Sequence, residues 1–287
     1  TAATNDSLGV SGNWVNNGTF NAQAGFVNFN GGAAQTISGS STTSFHNMIL
    51  SNTSGGVSLS SAQNLTGTLT LTLGTFNTNG QNFTLVSTAT GTANIAEITG
   101  GDITGNIIMQ RFIAAGNTGY HFLSTPVSGI TLNDWDQEMV LSIPDGNNGC
   151  SGSCWLSVKF YNEPTAGLSS LGYDSLSSVT DAIIEGQGYW VYTGTGPLTS
   201  TAYTLDSRGP ANKNYAPITV NHTVSAGDTE DGWNLIGNPY PSDISWDLVA
   251  LSGTITPFGY IWNPNASPPA YISFDQNSGQ TISSHQA

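Results

Sequence analysis

The 287-residue chain carries eighteen acidic residues against four Lys and Arg, a net charge of -14, and only 8% of its residues are charged. That balance excludes a nucleic-acid partner, because displacing counterions from phosphates needs Lys and Arg, and it disfavours anionic membrane surfaces for the same reason. No apolar run approaches the roughly 18 residues a membrane-spanning helix requires.

Residues 1–110 contain only three charged side chains, Asp6, Glu97 and Asp102, and no Lys or Arg. Their pattern is short segments of period two broken by Gly and Asn: Phe26-Val-Asn-Phe29, Met48-Ile-Leu50, Val57-Ser-Leu59, Leu69-Thr-Leu-Thr-Leu73 and Phe83-Thr-Leu85. Alternation places the apolar side chains on one face and Thr, Ser or Asn on the other. Gly18-Thr-Phe-Asn21 recurs as Gly74-Thr-Phe-Asn77. Short strands, polar turns and weak self-similarity predict a parallel β-solenoid, in which each coil buries its face on the next. A flat sandwich is the rival reading.

Near residue 110 the composition changes. Every Lys and Arg, both cysteines and six of the seven Trp follow that point. The expected organisation is therefore a Ser/Thr/Asn/Gly-rich solenoid over 1–110 and an antiparallel, β-sandwich-like domain over 111–287, all-β throughout. Gly119-Tyr-His-Phe-Leu-Ser-Thr-Pro-Val127 aligns with Gly232-Trp-Asn-Leu-Ile-Gly-Asn-Pro-Tyr240, which suggests an internal duplication of the second domain. In the first copy Ala182–Gln187 leads into the aromatic strand Gly188–Tyr192. In the second, Gln280–Gln286 resembles that approach and the sequence stops at Ala287. The second domain is therefore expected to lack a strand, supplied either by further chain or by a neighbouring copy, with the Thr1–Leu8 arm a candidate donor and an open filament the result.

Several segments resemble large surface proteins of the Bacteroidota. Gly12-Asn-Trp-Val-Asn-Asn-Gly-Thr-Phe20, Ala34-Gln-Thr-Ile-Ser-Gly39 and Leu69–Thr78 are similar to their solenoid-like regions. Tyr120–Val127, Gly186-Gln-Gly-Tyr-Trp-Val191 and Gly232–Pro241 are similar to the module that often follows. The resemblance implies an adhesin-like protein, extracellular or at the cell surface, exported by type IX secretion. It supplies no catalytic residue. It also implies O-glycosylation at Asp-Ser/Thr-aliphatic triplets, which here would place sugars on Ser7 and Ser175. The start at Thr1, without Met or apolar leader, is what a processed secreted protein or a fragment of one would show.

Cys150 and Cys154 lie four apart around Gly152, a spacing that permits a local disulfide and, with no His or Cys nearby to complete a metal site, favours one. Asp134, Asp136 and Glu138 stand at alternate positions, on one face if extended, and Asp228 and Asp231 cluster in a loop. Both groups are candidate calcium ligands, with solvated turns as the plainer account. Tyr189, Trp190 and Tyr192 are candidates for a sugar-stacking platform, the alternative being alternate burial in a core. The four His are scattered, and no nucleophile elbow, Cys–His pair or phosphate loop is present. A non-catalytic structural or adhesive protein, whose partners are copies of itself, other surface proteins or glycans, is the expectation, with a carbohydrate-binding module as the alternative.

Overall fold

The computed structural model describes residues 6–114, 119–150, 154–193, 202–214, 217–224, 231–253, 255–263, 266, 268, 270–276 and 281–282. The chain is all-β, with 43% strand and 5% helix. It divides into two compact units, Thr1–Phe112 with Thr204–Lys213, and Ile113–Tyr203 with Asn214–Ala287.

The first unit is a parallel β-solenoid of about 5 turns. Its strands fall into three parallel stacks. One holds Ser7–Val10, Phe26–Phe29, Asn47–Ser51, the start of Thr68–Asn77, and Asn94–Ile95. A second holds Trp14–Val15, Gln35–Ser38, Val57–Leu59, the end of Thr68–Asn77, and Gly101–Thr104. The third holds Thr43–Phe45, Gln63–Leu65, Phe83–Leu85 and Asn106–Ile113. Thr68–Asn77 serves two stacks because it bends at Gly74, whose φ of +86° favours glycine and whose Cβ would lie 2.7 Å from the Asn52 carbonyl oxygen.

Parallel register stacks like on like. Val27, Met48 and Leu69 form one buried row, Phe29, Leu50 and Leu71 a second, and Phe45, Leu65 and Leu85 a third. Each fully buried side chain of this kind contributes roughly 1.5–3 kcal/mol, so the core is assembled from small, repeated increments. At the first coil Trp14, Phe20, Phe29 and Phe45 meet edge-on or tilted, with centroids 4.9–6.4 Å apart. The corners are polar inside. Gln35, 2% exposed, accepts from Gly31 N–H and Asn52 Nδ2 and donates to the Val10 and Gly12 carbonyls. Asn52 donates to the Ala33 carbonyl and accepts from Ser54 and Gly56 N–H. These amides stand in for strand pairing where the backbone turns.

The strand Tyr203–Pro210 lies next to Asn106–Ile113 in the third stack, so the chain returns to the solenoid after leaving it. The single break expected near residue 110 has no counterpart for this return. It is fastened by Lys213, whose Nζ meets Asp102 Oδ1 and donates to the Ile103 carbonyl at 2.6 Å. Burial raises the Asp206 pKa, and a hydrogen bond from Gln110 opposes the rise.

The second unit is less regular. Its main sheet is antiparallel and four-stranded, in the order Gly119–Leu123, Tyr189–Thr193, Val158–Tyr161, Tyr173–Ser175. Two strand pairs, Phe258–Asn263 with Ala270–Asp275 and Ile244–Ser245 with Thr281–Ile282, lie outside it. Leu123, Tyr189, Val191 and Val158 form the sheet's buried side. Against that side packs a short helix, α1 (Leu132–Asp136), rather than the facing sheet a sandwich would have, with Trp135 5.6 Å from Tyr189.

The two aligned segments differ in form. Gly119–Leu123 is a strand, whereas 232–240 is a loop that touches strand geometry only at the Gln187–Ile236 bridge. Gly237 explains part of this: its N–H donates to the Gly186 carbonyl, and a Cβ there would stand 2.3 Å from that of Ser124. Of the Thr1–Leu8 arm, the expected donor, only residues 6–8 are described. Ser7 and Leu8 already pair with Phe26 and Val27, and 1–5 lie outside the described residues.

Candidate functional site

The second unit's sheet has an unusual second side. In an antiparallel pair, residues directly opposite share a face, so Tyr120 opposite Tyr192 and Phe122 opposite Trp190 project together, away from the buried side. Tyr161 and Tyr173 extend the same face across the next two strands. Trp155 joins from the loop: its ring lies 5.9 Å from Tyr120 and 5.1 Å from Tyr192. Trp190 is the centre, 4.5 Å from Tyr120, 6.2 Å from Phe122 and 4.7 Å from Tyr173.

Exposure grades across this cluster. Trp155 is 50% exposed and Tyr192 36%, whereas Tyr120, Phe122, Trp190 and Tyr173 are half-buried. The Trp190 indole N–H is shut from solvent and has no partner among the described residues. Tyr271, from the outlying strand pair, closes the other end, 6.3 Å from Phe122 and hydrogen-bonded to Tyr173. Burial pushes the Tyr173 phenol well above its usual range, with Tyr271 adding to the shift. Burial also raises Tyr120, and Tyr192 contributes. These hydroxyls stay protonated, and so serve as hydrogen-bond donors, at any physiological pH.

The expected stacking triplet is thus redistributed. Trp190 and Tyr192 share the aromatic face, but Tyr189 points the opposite way, is 1% exposed, and accepts a hydrogen bond from Ile184 N–H through its hydroxyl. Strand alternation forces this, since neighbours in sequence cannot share a face. Tyr120 and Trp155 complete the cluster and were not singled out in the sequence. The alternation of Tyr120 and Phe122 around buried His121 was a legible signal for one of them; nothing local marked Trp155.

Trp155 directly follows Cys154, which is joined to Cys150 with Cα atoms 5.8 Å apart. The bridge anchors the backbone on which this exposed ring is carried.

Several acidic residues of this unit fasten loops. Asp134 does not lie on an extended face with Asp136 and Glu138, because Thr131-x-x-Asp134 is a capping box that starts α1: Asp134 Oδ2 accepts from Thr131 N–H at 2.8 Å. Asp136, 3% exposed, accepts from Asn147 N–H at 2.6 Å. Glu138 is exposed. Asp145 holds Ser178 and Val179, hydrogen bonds that lower its pKa. Glu163 accepts from Thr223 N–H and Oγ1 and from Gly232 N–H. Burial works against its charge, yet these donors and His222 hold its pKa below the usual carboxylate range. Asp228 lies outside the described residues, and Asp231 belongs to no cluster of three His, Cys, Asp or Glu side chains among them. The candidate calcium ligands are therefore not brought together among the described residues.

Of the two candidate sugar acceptors, Ser7 is exposed at the start of the solenoid's outermost strand, and Ser175 is half-buried at the edge of the second unit's sheet. A hollow of about 280 Å³ between Asn52–Gly56 and Leu73–Thr75 is lined by no ionisable side chain. No helix among the described residues is long and apolar enough to cross a membrane. Comparison with protein-family models, curated proteins and solved structures finds no match to this chain.

Proposed function

We propose that this is a non-catalytic, extracellular adhesive protein in which the solenoid is a charge-poor structural stalk and the second unit's aromatic face grips carbohydrate. The observation that supports it is the exposed part of that face, where Trp155, Tyr192 and Tyr120 present ring surfaces beside phenolic hydroxyls. Sugar rings bury C–H groups on aromatic faces and satisfy their hydroxyls at the edges, the pairing of apolar body and polar tip that Tyr and Trp offer. Four carboxylates of the unit, Asp134, Asp136, Asp145 and Glu163, are engaged in holding loops, so none of these four is free for a glycosidase pair. The resemblance to Bacteroidota surface proteins supports the location, the type IX route and glycosylation at Ser7 and Ser175. The aligned segments 119–127 and 232–240 support a duplicated origin for the second unit.

The test is binding of the intact chain to a glycan array, repeated with Trp155→Ala and Tyr192→Ala. Each substitution should weaken binding roughly tenfold or more, as loss of an aromatic anchor does, while the far-ultraviolet circular dichroism spectrum stays that of the parent. Absence of any glycan ligand, or binding indifferent to both substitutions, would refute the reading.

A further inference from the structure

Lys159 is the one Lys or Arg between Arg111 and Arg208. The remaining three, Arg111, Arg208 and Lys213, belong to the solenoid unit, so Lys159 is the second unit's sole Lys or Arg. It stands directly opposite Trp190 on one neighbouring strand and opposite Ser175 on the other, hence on the aromatic face. Among the described residues it has no ion-pair partner. The residues that share its row or the adjacent rows of that face are Phe122, Trp190, Ser175, Tyr120, Tyr192, Tyr161 and Tyr173, none of them a carboxylate.

A cation with no counter-ion among the described residues, in a chain of net charge -14, is informative. Acidic residues outnumber basic ones more than fourfold, so a lysine without a carboxylate among the described residues is not explained by scarcity of partners. It is half-buried among rings, where an ammonium is less screened than at an open surface and an incoming anion would be held more firmly. We infer that the aromatic face selects an acidic sugar, with Lys159 pairing to a carboxylate or sulfate of the ligand while Trp155, Tyr192 and Tyr120 hold its ring. This rests on the carbohydrate reading given above and narrows it to anionic glycans. The negative field of the rest of the chain opposes approach of any anion, so discrimination falls to the short-range contact. Added salt weakens that contact and the opposing field together, which makes the net salt dependence shallow.

Three oligosaccharides of one backbone, neutral, uronic-acid-containing and sulfated, titrated calorimetrically into the intact protein and its Lys159→Gln and Lys159→Arg variants, provide the test. The parent should bind one or both acidic forms about tenfold more tightly than the neutral one, the scale of a charge-assisted hydrogen bond. Lys159→Gln should bring acidic binding down to the neutral level and leave neutral binding unchanged; Lys159→Arg should restore the preference. Neutral binding without an acidic preference, or a preference that survives Lys159→Gln, overturns this inference and leaves the carbohydrate reading standing. Binding of none of the three, together with an empty glycan array, overturns both.

Discussion

The two units solve the same problem, burying enough surface with few charges, in opposite ways. In the solenoid each coil repeats the previous one, so apolar rows such as Val27–Met48–Leu69 arise from register alone, and the polar interior is confined to corners where Gln35 and Asn52 satisfy turning backbone. The second unit has no stacked coils to lean on. Its long loops are fixed individually by carboxylates, Asp136 on Asn147, Asp145 on Val179 and Glu163 on Thr223, and by one disulfide. Periodicity removes the need for charge, and irregular chain restores it. That difference accounts for the compositional break near residue 110 without invoking function.

Four substitutions bear on the comparison. The largest effect should come from Phe45→Ala in the solenoid, which empties a fully buried site at the meeting of Trp14, Phe20 and Phe29. A cost of about 3–5 kcal/mol is expected in urea denaturation, and a cost near zero would show that the coils do not share a core. Gln35→Leu should cost roughly 1–3 kcal/mol, because it strands Gly31 N–H and the Val10 and Gly12 carbonyls; the outward-facing Thr36→Val should stay within about 0.5 kcal/mol.

The smallest effect belongs to the second unit. Glu163→Gln should speed hydrogen exchange at Thr223 and Gly232 at neutral pH while leaving the solenoid's amides unchanged. Because the folded-state pKa of Glu163 is depressed, its contribution is full above the ordinary carboxylate pKa and is lost as pH falls through the lower folded value. The difference between parent and variant should therefore vanish in acid. A difference that persists there would assign the effect to packing instead of charge.

Much of the solenoid was legible because its signal is local: Phe26–Phe29 and Phe83–Leu85 alternate within a few residues, and turns follow. The return strand was not, since Thr204-Leu-Asp-Ser-Arg208 reads as a strand but nothing in it names Asn106–Ile113 as its neighbour. At the candidate site Trp190 and Tyr192 were found from their run. Tyr189 follows the alternative of alternate burial, since it faces the other side of the sheet, and Trp155 depends on a loop whose course no short pattern encodes. The acidic stretch failed for a simpler reason: the capping box from Thr131 to Asp134 announces a helix, and helical geometry separates side chains that an extended chain would align.

The return of the chain at 204–213 also bears on how the molecule withstands a protease. A protein made of successive domains loses whatever lies beyond its first cut. Here a single nick by a protease between 114 and 202 leaves both new ends tied to folded structure, the upstream piece through the coils and the downstream piece through the strand seated beside Asn106–Ile113 and the Lys213–Asp102 pair. The chain passes between the units three times, at 112/113, 203/204 and 213/214, so severing the second unit takes three cuts, and one accidental cleavage between 114 and 202 costs the molecule its continuity but not its parts.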